Sequence, residues 1–544
     1  MDRRTHAGRS VGVATPASSR VRTAGKLLLF IALTVLGAAA CATVSVSDGE
    51  LAERFAREPA ETGAVHEFAS VARPSGEGPQ SGVKLIARND AALEWRLALI
   101  DSAEVSIEIQ SFIWNRDFAG KLVFERLLAA ADRGVQVRIL IDDIFLTYPG
   151  RFIAALSSHE NLEIRIFNPI PARRTTAGKA LGFAANFRQM NRRMHNKLFI
   201  ADGQVAIVGG RNIGNGYFGL SRDYNFRDLD VLTVGPELGV MRDSFDAYWN
   251  SRYAVPGGRL HGPGDDAGGD AGAYGNGGRD GDLSRARERL RDRVSGTPKK
   301  DAVVLLSMQP ETLFAYGLTQ MVPARVTHIH DHPYNRSDRS VSGALNEFFL
   351  RGHETLLLVT PYLVPDDEFL EVLALLHERG TEVQALVPSM ASNNHTIVHS
   401  QYRKSRAELL ERGVVLYEYK HQPGGTARGY VDWQSFQARF VSLHMKAVLA
   451  AGSGAFVGSF NLDPRALRIN TENALIVESK QFAEQLANLL DPMLSPGQSW
   501  LVRRTNPGFV WQSADGEVGR QPARSLIQRF ADALFRLLPL RGQL

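Results

Sequence analysis

An internal duplication constrains this chain of 544 residues more than any other feature of its sequence. A strand–helix–strand pattern occurs twice, and in each copy the helix ends at an Arg-Gly pair, first at Arg133-Gly134 and again at Arg379-Gly380. Each copy continues with another strand, a histidine and an apolar strand. A fixed offset across several elements indicates a repeat, and alternating strands and helices indicate an α/β sheet with helices on both faces. We therefore expect two lobes that share one fold.

Each repeat also carries the same polar residues at the same spacing. His195-Asn196-Lys197 precedes Gly209-Gly210-Arg211-Asn212, and His444-Met445-Lys446 precedes Gly458-Ser459-Phe460-Asn461. The histidine and the asparagine are 17 residues apart in both repeats, and the two histidines are 249 residues apart. One His-x-Lys motif is a weak signal in a long chain, but two copies in register within a duplicated unit are not a chance match. They mark the candidate functional residues.

These residue types suit chemistry on a phosphodiester, which needs a nucleophile, an acid for the leaving alkoxide and positive charge on the non-bridging oxygens. On an extended strand, His and Lys two positions apart point to the same face. One neutral imidazole can attack phosphorus, and the other, protonated, can donate to the leaving oxygen. Positive charge and amide groups for the phosphoryl oxygens come from Lys197, Lys446, Asn212 and Asn461. Lysines would then replace metal ions, so we expect no cofactor.

A histidine that works in this way needs an acceptor on its second ring nitrogen. One carboxylate follows each motif at a matching distance, Asp228 in the first repeat and Glu472 in the second. Asp230 is the competing candidate in the first repeat, and a surface charge at the start of a strand is the alternative for all three.

The complete pattern resembles the phospholipase D superfamily, whose signature is HxKx4D followed by Gly-Ser-x-Asn, present twice. The resemblance covers about residues 85–500 and implies two α-β-α lobes around a shared active site. Asp202 completes the first motif and joins the expected catalytic set, and Ser459 joins the phosphate-binding or orienting set. Three longer strings look like the cardiolipin synthase branch, C-type: residues 209–218, 398–420 and 457–479.

The second motif departs from the family at position 451, where Ala451 replaces the aspartate. In the family this acid supports the motif and does not take part in bond making, so we expect activity to survive. Because its motif is complete, His195 is the expected nucleophile, and His444 is then the general acid and base.

The N-terminus resembles a bacterial lipoprotein signal. Basic residues precede the apolar run 27–40, which is too short to span a bilayer, and Cys41 is the only cysteine. A plain cleavable signal or an anchor helix is the alternative. Residues 1–40 hold six basic and one acidic residue, which accounts for the whole net charge of +5. The remaining chain is neutral, which argues against nucleic acid as a partner. We expect a lipid anchor at Cys41 and a place in the bacterial cell envelope, facing the periplasm or the exterior.

The expected organisation is a signal (1–40), a tether and lead-in (41–85), a first lobe (86–255), a Gly-rich flexible insertion (256–300), a second lobe (301–500), and a C-terminal hairpin and amphipathic tail (501–544). The acid-free basic stretch 171–197 is expected to meet anionic headgroups, with a solvated loop as the alternative. The tail 525–544 either packs on the body or lies on the bilayer. We expect no metal binding by His328, His330 and His332, or by His395 and His399.

The resulting hypothesis is a membrane-associated phosphatidyltransferase that makes cardiolipin through a phosphohistidine. Phosphatidylglycerol would be the acceptor, and phosphatidylethanolamine is a further possible donor. The rivals are a phospholipase D-type hydrolase, a nuclease of the same superfamily and a catalytically silent membrane-binding protein.

Overall fold

The computed structural model describes residues 53–77, 80–170, 191–260, 278–306, 308–333, 335, 339–433 and 436–537. The expected signal 1–40, Cys41, most of the basic stretch (171–190) and residues 538–544 lie outside these ranges. The chain forms two compact units. One comprises residues 1–49 and 170–190 and is described only at Ile170, and the other comprises residues 50–169 and 191–544 and contains every element below. Within the described ranges, no helix has the length and apolar character needed to cross a bilayer.

Among its described residues, the first lobe contains nine strands. They are β1 (Ser81–Ile86), β2 (Ser106–Ser111), β3 (Gln136–Asp142), β4 (Leu162–Phe167), β5 (Leu198–Ala201), β6 (Val205–Gly209), β7 (Tyr224–Arg227), β8 (Asp230–Val234) and β9 (Ala254–Pro256). The helices up to this point are α1 (Ala64–Ala72), α2 (Asn89–Ser102), α3 (Phe118–Asp132), α4 (Gly150–Leu156) and α5 (Leu238–Trp249).

Three helices lead into the second lobe: α6 (Gly278–Ser295), α7 (Pro298–Leu306) and α8 (Pro310–Leu318). Its strands are β10 (Val322–His330), β11 (Thr355–Val359), β12 (Glu382–Pro388), β13 (Val415–Tyr419), β14 (Phe440–Leu443), β15 (Ala447–Ala450), β16 (Gly454–Gly458), β17 (Asn473–Glu478), β18 (Ser499–Thr505), β19 (Gly508–Ser513) and β20 (Gly516–Val518). Its helices are α9 (Ser340–Phe349), α10 (Asp367–Glu378), α11 (Thr396–Glu411), α12 (Arg428–Val431), α13 (Pro464–Arg468), α14 (Lys480–Leu494) and α15 (Leu526–Phe535).

The two lobes repeat one sheet topology. In the first, β4, β3 and β2 are parallel, and β5, β6, β8 and β1 continue the sheet in antiparallel pairs. In the second, β13, β12 and β11 are parallel and β15, β16, β17 and β10 follow in the same manner. Helices return the chain between the parallel strands, as parallel pairing requires. Because β1 pairs with β10, the two halves join into one continuous sheet, which confirms the expected duplicated α/β fold.

The repeat also shows in local structure. Asp117 and Asp366, 249 residues apart, each accept a backbone N–H in the first turn of a helix, α3 and α10 respectively. The side chains of Val208 and Val457, at the same offset, are both fully buried in a central apolar cluster to which both lobes contribute. Two further clusters lie under the outer helices of each lobe. Apolar packing therefore fixes the lobes against each other and, with them, the two His-x-Lys motifs.

Two segments are more tightly packed than the sequence suggested. Within the expected flexible insertion, α6 buries Ala286, Leu290 and Val294 against α3 and α4, because these residues fall at four-residue spacing on one helix face. Within the expected tether, α1 buries Phe68, whose ring lies 5.5 Å from that of Trp95.

Candidate active site

Both His-x-Lys motifs occupy the extended segments that lead into β5 and β15, rather than the strands themselves. The expected alternation still places the histidine and lysine of each motif side by side. Lys197 Nζ donates to the carbonyl oxygen of His195 at 2.6 Å, and Lys446 Nζ donates to that of His444 at 2.7 Å. Lys446 Nζ also lies 3.1 Å from His444 Nδ1. Each ammonium group is therefore held beside an imidazole.

The carboxylates reach across the lobes. His195 Nδ1 lies 2.8 Å from Glu472 Oε2, and His444 Nδ1 lies 2.6 Å from Asp228 Oδ2. The two acids singled out by spacing are thus in place, but each serves the histidine of the other repeat. Asp230, the competing candidate, instead pairs with Arg96 and Arg211. Since each Nδ1 is held by a carboxylate, Nε2 is the ring nitrogen that can meet a reacting group, and Lys446 Nζ lies 3.3 Å from that of His444.

Burial and neighbouring charge perturb every ionisable group in this site. Burial, reinforced by Lys197 and Lys446, lowers the pKa of His195 well below its usual range, and burial together with Lys446 lowers the pKa of His444 to about 3. Burial also lowers the pKa of Lys197 to about 7 and that of Lys446 to about 8. Because lysines of both lobes act on both imidazoles, the motifs form one electrostatic unit.

The two carboxylic acids differ in protonation. Burial raises the pKa of Glu472 to about 8, against the opposing effect of Lys197. Burial would also raise the pKa of Asp228, but His444, Lys446 and Arg211 together hold it below its usual value. Asp228 is therefore ionised at neutral pH, whereas the His195–Glu472 pair retains an additional proton.

The Gly-Ser-x-Asn turn of the second lobe supports Glu472 directly. Ser459 Oγ donates to Glu472 Oε2, and the backbone N–H of Asn473 donates to Ser459 Oγ at 3.0 Å. In the first lobe Gly210 occupies the position of Ser459, and a Cβ atom there would lie 2.2 Å from Asp228 Oδ1. The first lobe thus needs glycine where the second uses serine.

The two asparagines are not equivalent. The amide of Asn212 is engaged within the protein, because its Oδ1 accepts from the Ile113 N–H at 3.0 Å and its Nδ2 donates to Tyr217 Oη at 3.0 Å. The fold thus uses Asn212 to join two loops, and because Nδ2 carries a second hydrogen, its contact with a phosphoryl oxygen stays a prediction. Asn461 is buried, and its Oδ1 has no hydrogen-bond partner among the described residues. Because only Nδ2 could donate to a phosphoryl oxygen, the phosphate-binding role of Asn461 stays a prediction.

Asp202 belongs to the motif but not to the reacting centre. Its carboxylate accepts the backbone N–H groups of Glu104, Val105 and Ser106 at 2.7–3.1 Å. These contacts lie at the start of β2, at the far end of β5 from His195, so the catalytic assignment of Asp202 is corrected to a structural one. Ala451 occupies the matching position in the second lobe and has no carboxylate to make such contacts. Its backbone N–H donates to the Thr355 carbonyl oxygen at 3.3 Å.

Aromatic rings enclose the two histidines, and residue spacing did not predict them. The Phe112 ring lies 4.7 Å from that of His195, and the Lys197 ammonium lies 5.4 Å from the same ring. Phe226 and Tyr217 lie 4.7 and 5.5 Å from His444. Phe112 follows β2 directly. The change from polar residues to an aromatic residue at the end of that strand is the sequence signal that could have identified it. These rings exclude water and strengthen the electrostatic interactions inside the site.

The other candidate residues lie elsewhere. Of the basic stretch 171–197, Arg193 is fully buried and pairs with Asp142 at 2.6 Å, so it does not face a membrane. The rings of His328 and His330 stack 5.2 Å apart on β10. The described residues contain no group of three or more His, Cys, Asp or Glu side chains suited to a metal ion.

Two duplicated α/β lobes, two His-x-Lys motifs and two carboxylates exchanged between the lobes define the phospholipase D class of phosphodiester enzymes. The family model described as "Cardiolipin synthase, PLD-like domain" matches residues 97–249 and 347–494, one match in each lobe. The chain therefore belongs to this family. It is an enzyme of the phospholipase D superfamily, of the cardiolipin synthase-like phosphatidyltransferase class.

Individual relatives agree. Cardiolipin synthase C of Escherichia coli (strain K12) is 30% identical over 491 residues, which cover 85% of this chain and 96% of the relative. Cardiolipin synthase A of Pseudomonas entomophila (strain L48) is 26% identical over 416 residues, covering 75% of this chain and 67% of the relative. Among solved structures, phosphatidylserine synthase of Haemophilus influenzae Rd KW20 is similar with a TM-score of 0.49 and 15% identity, over 76% of this chain and 86% of that one.

Proposed function

We propose that this enzyme forms cardiolipin by transferring a phosphatidyl group from one phospholipid to a glycerol hydroxyl of phosphatidylglycerol. The observation that carries the proposal is the pair of cross-lobe contacts, His195 with Glu472 and His444 with Asp228, around two lysines. Two oriented imidazoles meet the needs of a double displacement, in which one histidine holds the group and the other manages the proton. Likeness to cardiolipin synthases over most of the chain supports the lipid assignment.

In the first step, His195 Nε2 attacks phosphorus and forms a P–N bond, and the P–O bond to the leaving alcohol breaks. The pKa of His444 is about 3 in the free enzyme, so His444 takes up a proton from solvent when the anionic phosphodiester binds beside it. The imidazolium, stabilised by the ionised Asp228 carboxylate, then gives its Nε2 proton to the leaving oxygen. Lys197 and Lys446, helped by the amide of Asn461, neutralise the charge that develops on the phosphoryl oxygens. We assign the nucleophile to His195 because Asp202 anchors the far end of its strand.

In the second step, the acceptor hydroxyl gives its proton to His444, its oxygen bonds to phosphorus, and the P–N bond to His195 breaks. If the donor is phosphatidylglycerol, the released alcohol is glycerol; if it is phosphatidylethanolamine, ethanolamine is released. Water in place of the lipid hydroxyl gives phosphatidic acid, the hydrolase outcome.

We further propose that Cys41 carries a lipid anchor and that the enzyme works in the bacterial cell envelope, facing the periplasm or the exterior.

The test is turnover by the purified full chain. The protein is given phosphatidylglycerol with and without phosphatidylethanolamine, and the products are separated by chromatography. Cardiolipin that disappears in His195→Asn and His444→Asn variants supports the proposal. Phosphatidic acid alone supports hydrolysis, cleavage of DNA without lipid turnover supports a nuclease, and no turnover of any diester supports a silent membrane protein.

Acid-quench trapping with phosphate-labelled lipid tests the intermediate. A labelled phosphatidyl group should remain on wild type and be absent from His195→Asn. Label retained in His195→Asn and lost in His444→Asn would reverse the two roles.

Metabolic labelling with a lipid precursor in wild type and Cys41→Ser tests the anchor, and equal labelling of both would refute it.

A further inference from the structure

The last helix of the described chain, α15, turns its apolar side chains outward. Five large apolar residues of this segment are 52–83% exposed: Leu526, Ile527, Phe530, Leu534 and Leu537. Their spacing places them along one side of the helix. A row of this size on a monomeric surface signals a partner rather than ordinary exposure.

The opposite side of α15 packs on the protein and carries the polar residues that anchor the helix. Asp532 is fully buried and its Oδ2 accepts from Arg403 Nη1 at 2.7 Å. Gln528 is nearly buried and donates to the Met390 carbonyl oxygen at 2.6 Å. The Ser525 hydroxyl accepts from the backbone N–H of Gln528 and caps the helix. Specific polar contacts therefore hold the helix in an orientation that presents its apolar side to the surroundings.

The exposed charge within the segment that carries this apolar row is of one sign. Between residues 520 and 537 the chain carries Arg520, Arg524, Arg529 and Arg536, and its only acid is Asp532. Because Asp532 is buried and paired, the surface of this segment presents only positive charge. Apolar side chains flanked by arginines match the interface of a bilayer that contains anionic headgroups.

A row of aromatic contacts connects this helix to the active site. The Arg524 guanidinium lies 3.6 Å from the ring centroid of Phe440, which stacks on Tyr224 at 5.3 Å. Tyr224 contacts Phe226 at 5.2 Å, and Phe226 contacts His444 at 4.7 Å. The N-terminus of α15 and the reacting imidazole thus belong to one contiguous set of contacts.

We propose that α15 is an interfacial docking helix that lies in the headgroup region of an anionic phospholipid bilayer and holds the active site next to its lipid substrate. The helix lies in the plane of the interface, with Leu526, Ile527 and Phe530 among the acyl chains and the arginines among the phosphates. The role of α15 in holding the site next to a lipid substrate rests on the proposed function, whereas bilayer contact by α15 itself does not depend on which reaction the site performs.

The test places a reporter on the helix of the full chain. In a Cys41→Ser background, Phe530→Cys is labelled with an environment-sensitive fluorophore. The protein is then reconstituted with phosphatidylcholine vesicles that contain or lack phosphatidylglycerol. In a parallel set of vesicles, the lipids carry brominated acyl chains as quenchers. The matched control is Lys480→Cys on α14, since the Lys480 side chain is 77% exposed. We expect a blue shift and quenching by brominated lipid at position 530 and neither at position 480. Equal quenching at the two positions, or none at 530, would overturn the proposal, as would label self-quenching that shows a second copy covering the helix.

A second measurement keeps the test independent of the label. Ile527→Ser/Leu534→Ser and Arg536→Gln change exposed side chains, so thermal unfolding should match wild type. Turnover of phosphatidylglycerol in vesicles should fall about tenfold, while turnover in detergent-mixed micelles should stay within about twofold. Equal loss in both substrates would overturn the docking role. His195→Asn carrying the label separates the two hypotheses, because quenching should persist in it while turnover is absent.

Discussion

The His195 imidazole and the Glu472 carboxylate lie 2.8 Å apart, although 277 positions and a lobe boundary separate the two residues. The second histidine has the same relationship with Asp228 of the first lobe. Neither repeat therefore contains a complete histidine–acid pair. Since docking of the lobes also assembles the pairs, a change that loosens the apolar contact between the lobes should impair both histidines at once.

Replacing Glu472 with Gln should reduce turnover strongly and stability little. The amide preserves the shape of the side chain but cannot hold the proton on His195 Nδ1 as a carboxylate does, so we expect kcat to fall by about 10²–10⁴-fold. The measurement is steady-state turnover beside thermal unfolding. Ser459→Ala is the control, because it removes one hydrogen bond to Glu472 and should cost far less. A Gln variant with wild-type kcat would show that the pair does not orient the nucleophile.

Gly210→Ser in the first lobe should remove most activity, whereas the converse exchange in the second lobe, Ser459→Gly, should not. Gly210→Ser adds a Cβ atom 2.2 Å from Asp228 Oδ1, which must move and would withdraw from His444. We expect loss of most activity, with destabilisation of about 1–3 kcal/mol from overpacking. Ser459→Gly adds no atoms and should retain measurable turnover. Denaturant unfolding and turnover of both variants check this, and a fully active Gly210→Ser enzyme would contradict the geometry.

Residue spacing predicted the repeat and identified the four His and Lys side chains and the two acids that the structure brings together, because the motifs occupy matching positions in the two repeats. It did not predict the exchange of acids between lobes, since the sequence does not show which histidine Asp228 or Glu472 contacts. The internal contacts of Asn212 were not predicted because its two partners, Ile113 and Tyr217, come together only through tertiary packing. The tight packing of α6 was missed because its high charge masked three buried residues on one face.

Turnover should fall at alkaline pH. Burial lowers the pKa of Lys197 to about 7 and that of Lys446 to about 8, and both lysines must stay charged to neutralise the phosphoryl oxygens. Below pH 7 two requirements offset each other, because Glu472, with a pKa of about 8, must lose a proton and His444, with a pKa of about 3, must hold one. The profile of kcat/KM against pH should therefore be level on the acid side and fall above about pH 7. A kcat/KM that rises between pH 7 and pH 9 would contradict these assignments.

Lys197 should make stability change with pH in the direction opposite to the falling limb of activity. Its pKa is about 7 in the folded protein and about 10.4 in an unfolded chain, so the unfolded state binds more protons between these values. The contribution of Lys197 to stability is present above the unfolded pKa and is lost as the pH falls through the folded pKa. Relative to Lys197→Met, wild type should gain up to about 1.4 kcal/mol per pH unit between pH 8 and 10. Chemical unfolding at several pH values measures this, and parallel curves for the two proteins would contradict it.

The last prediction concerns the asymmetry between Asp202 and Ala451. Asp202→Ala leaves three backbone N–H groups without their acceptor, so we expect a loss of about 2–4 kcal/mol in unfolding free energy. Because Asp202 does not reach the reacting atoms, kcat per folded molecule should fall much less than in Glu472→Gln. Ala451→Asp is the converse test. Position 451 is exposed, so restoring the family's aspartate should leave activity within about twofold and stability within about 0.5 kcal/mol. A large gain in turnover from Ala451→Asp would instead mean that the second lobe works below its capacity, and would make Ala451 a determinant of rate.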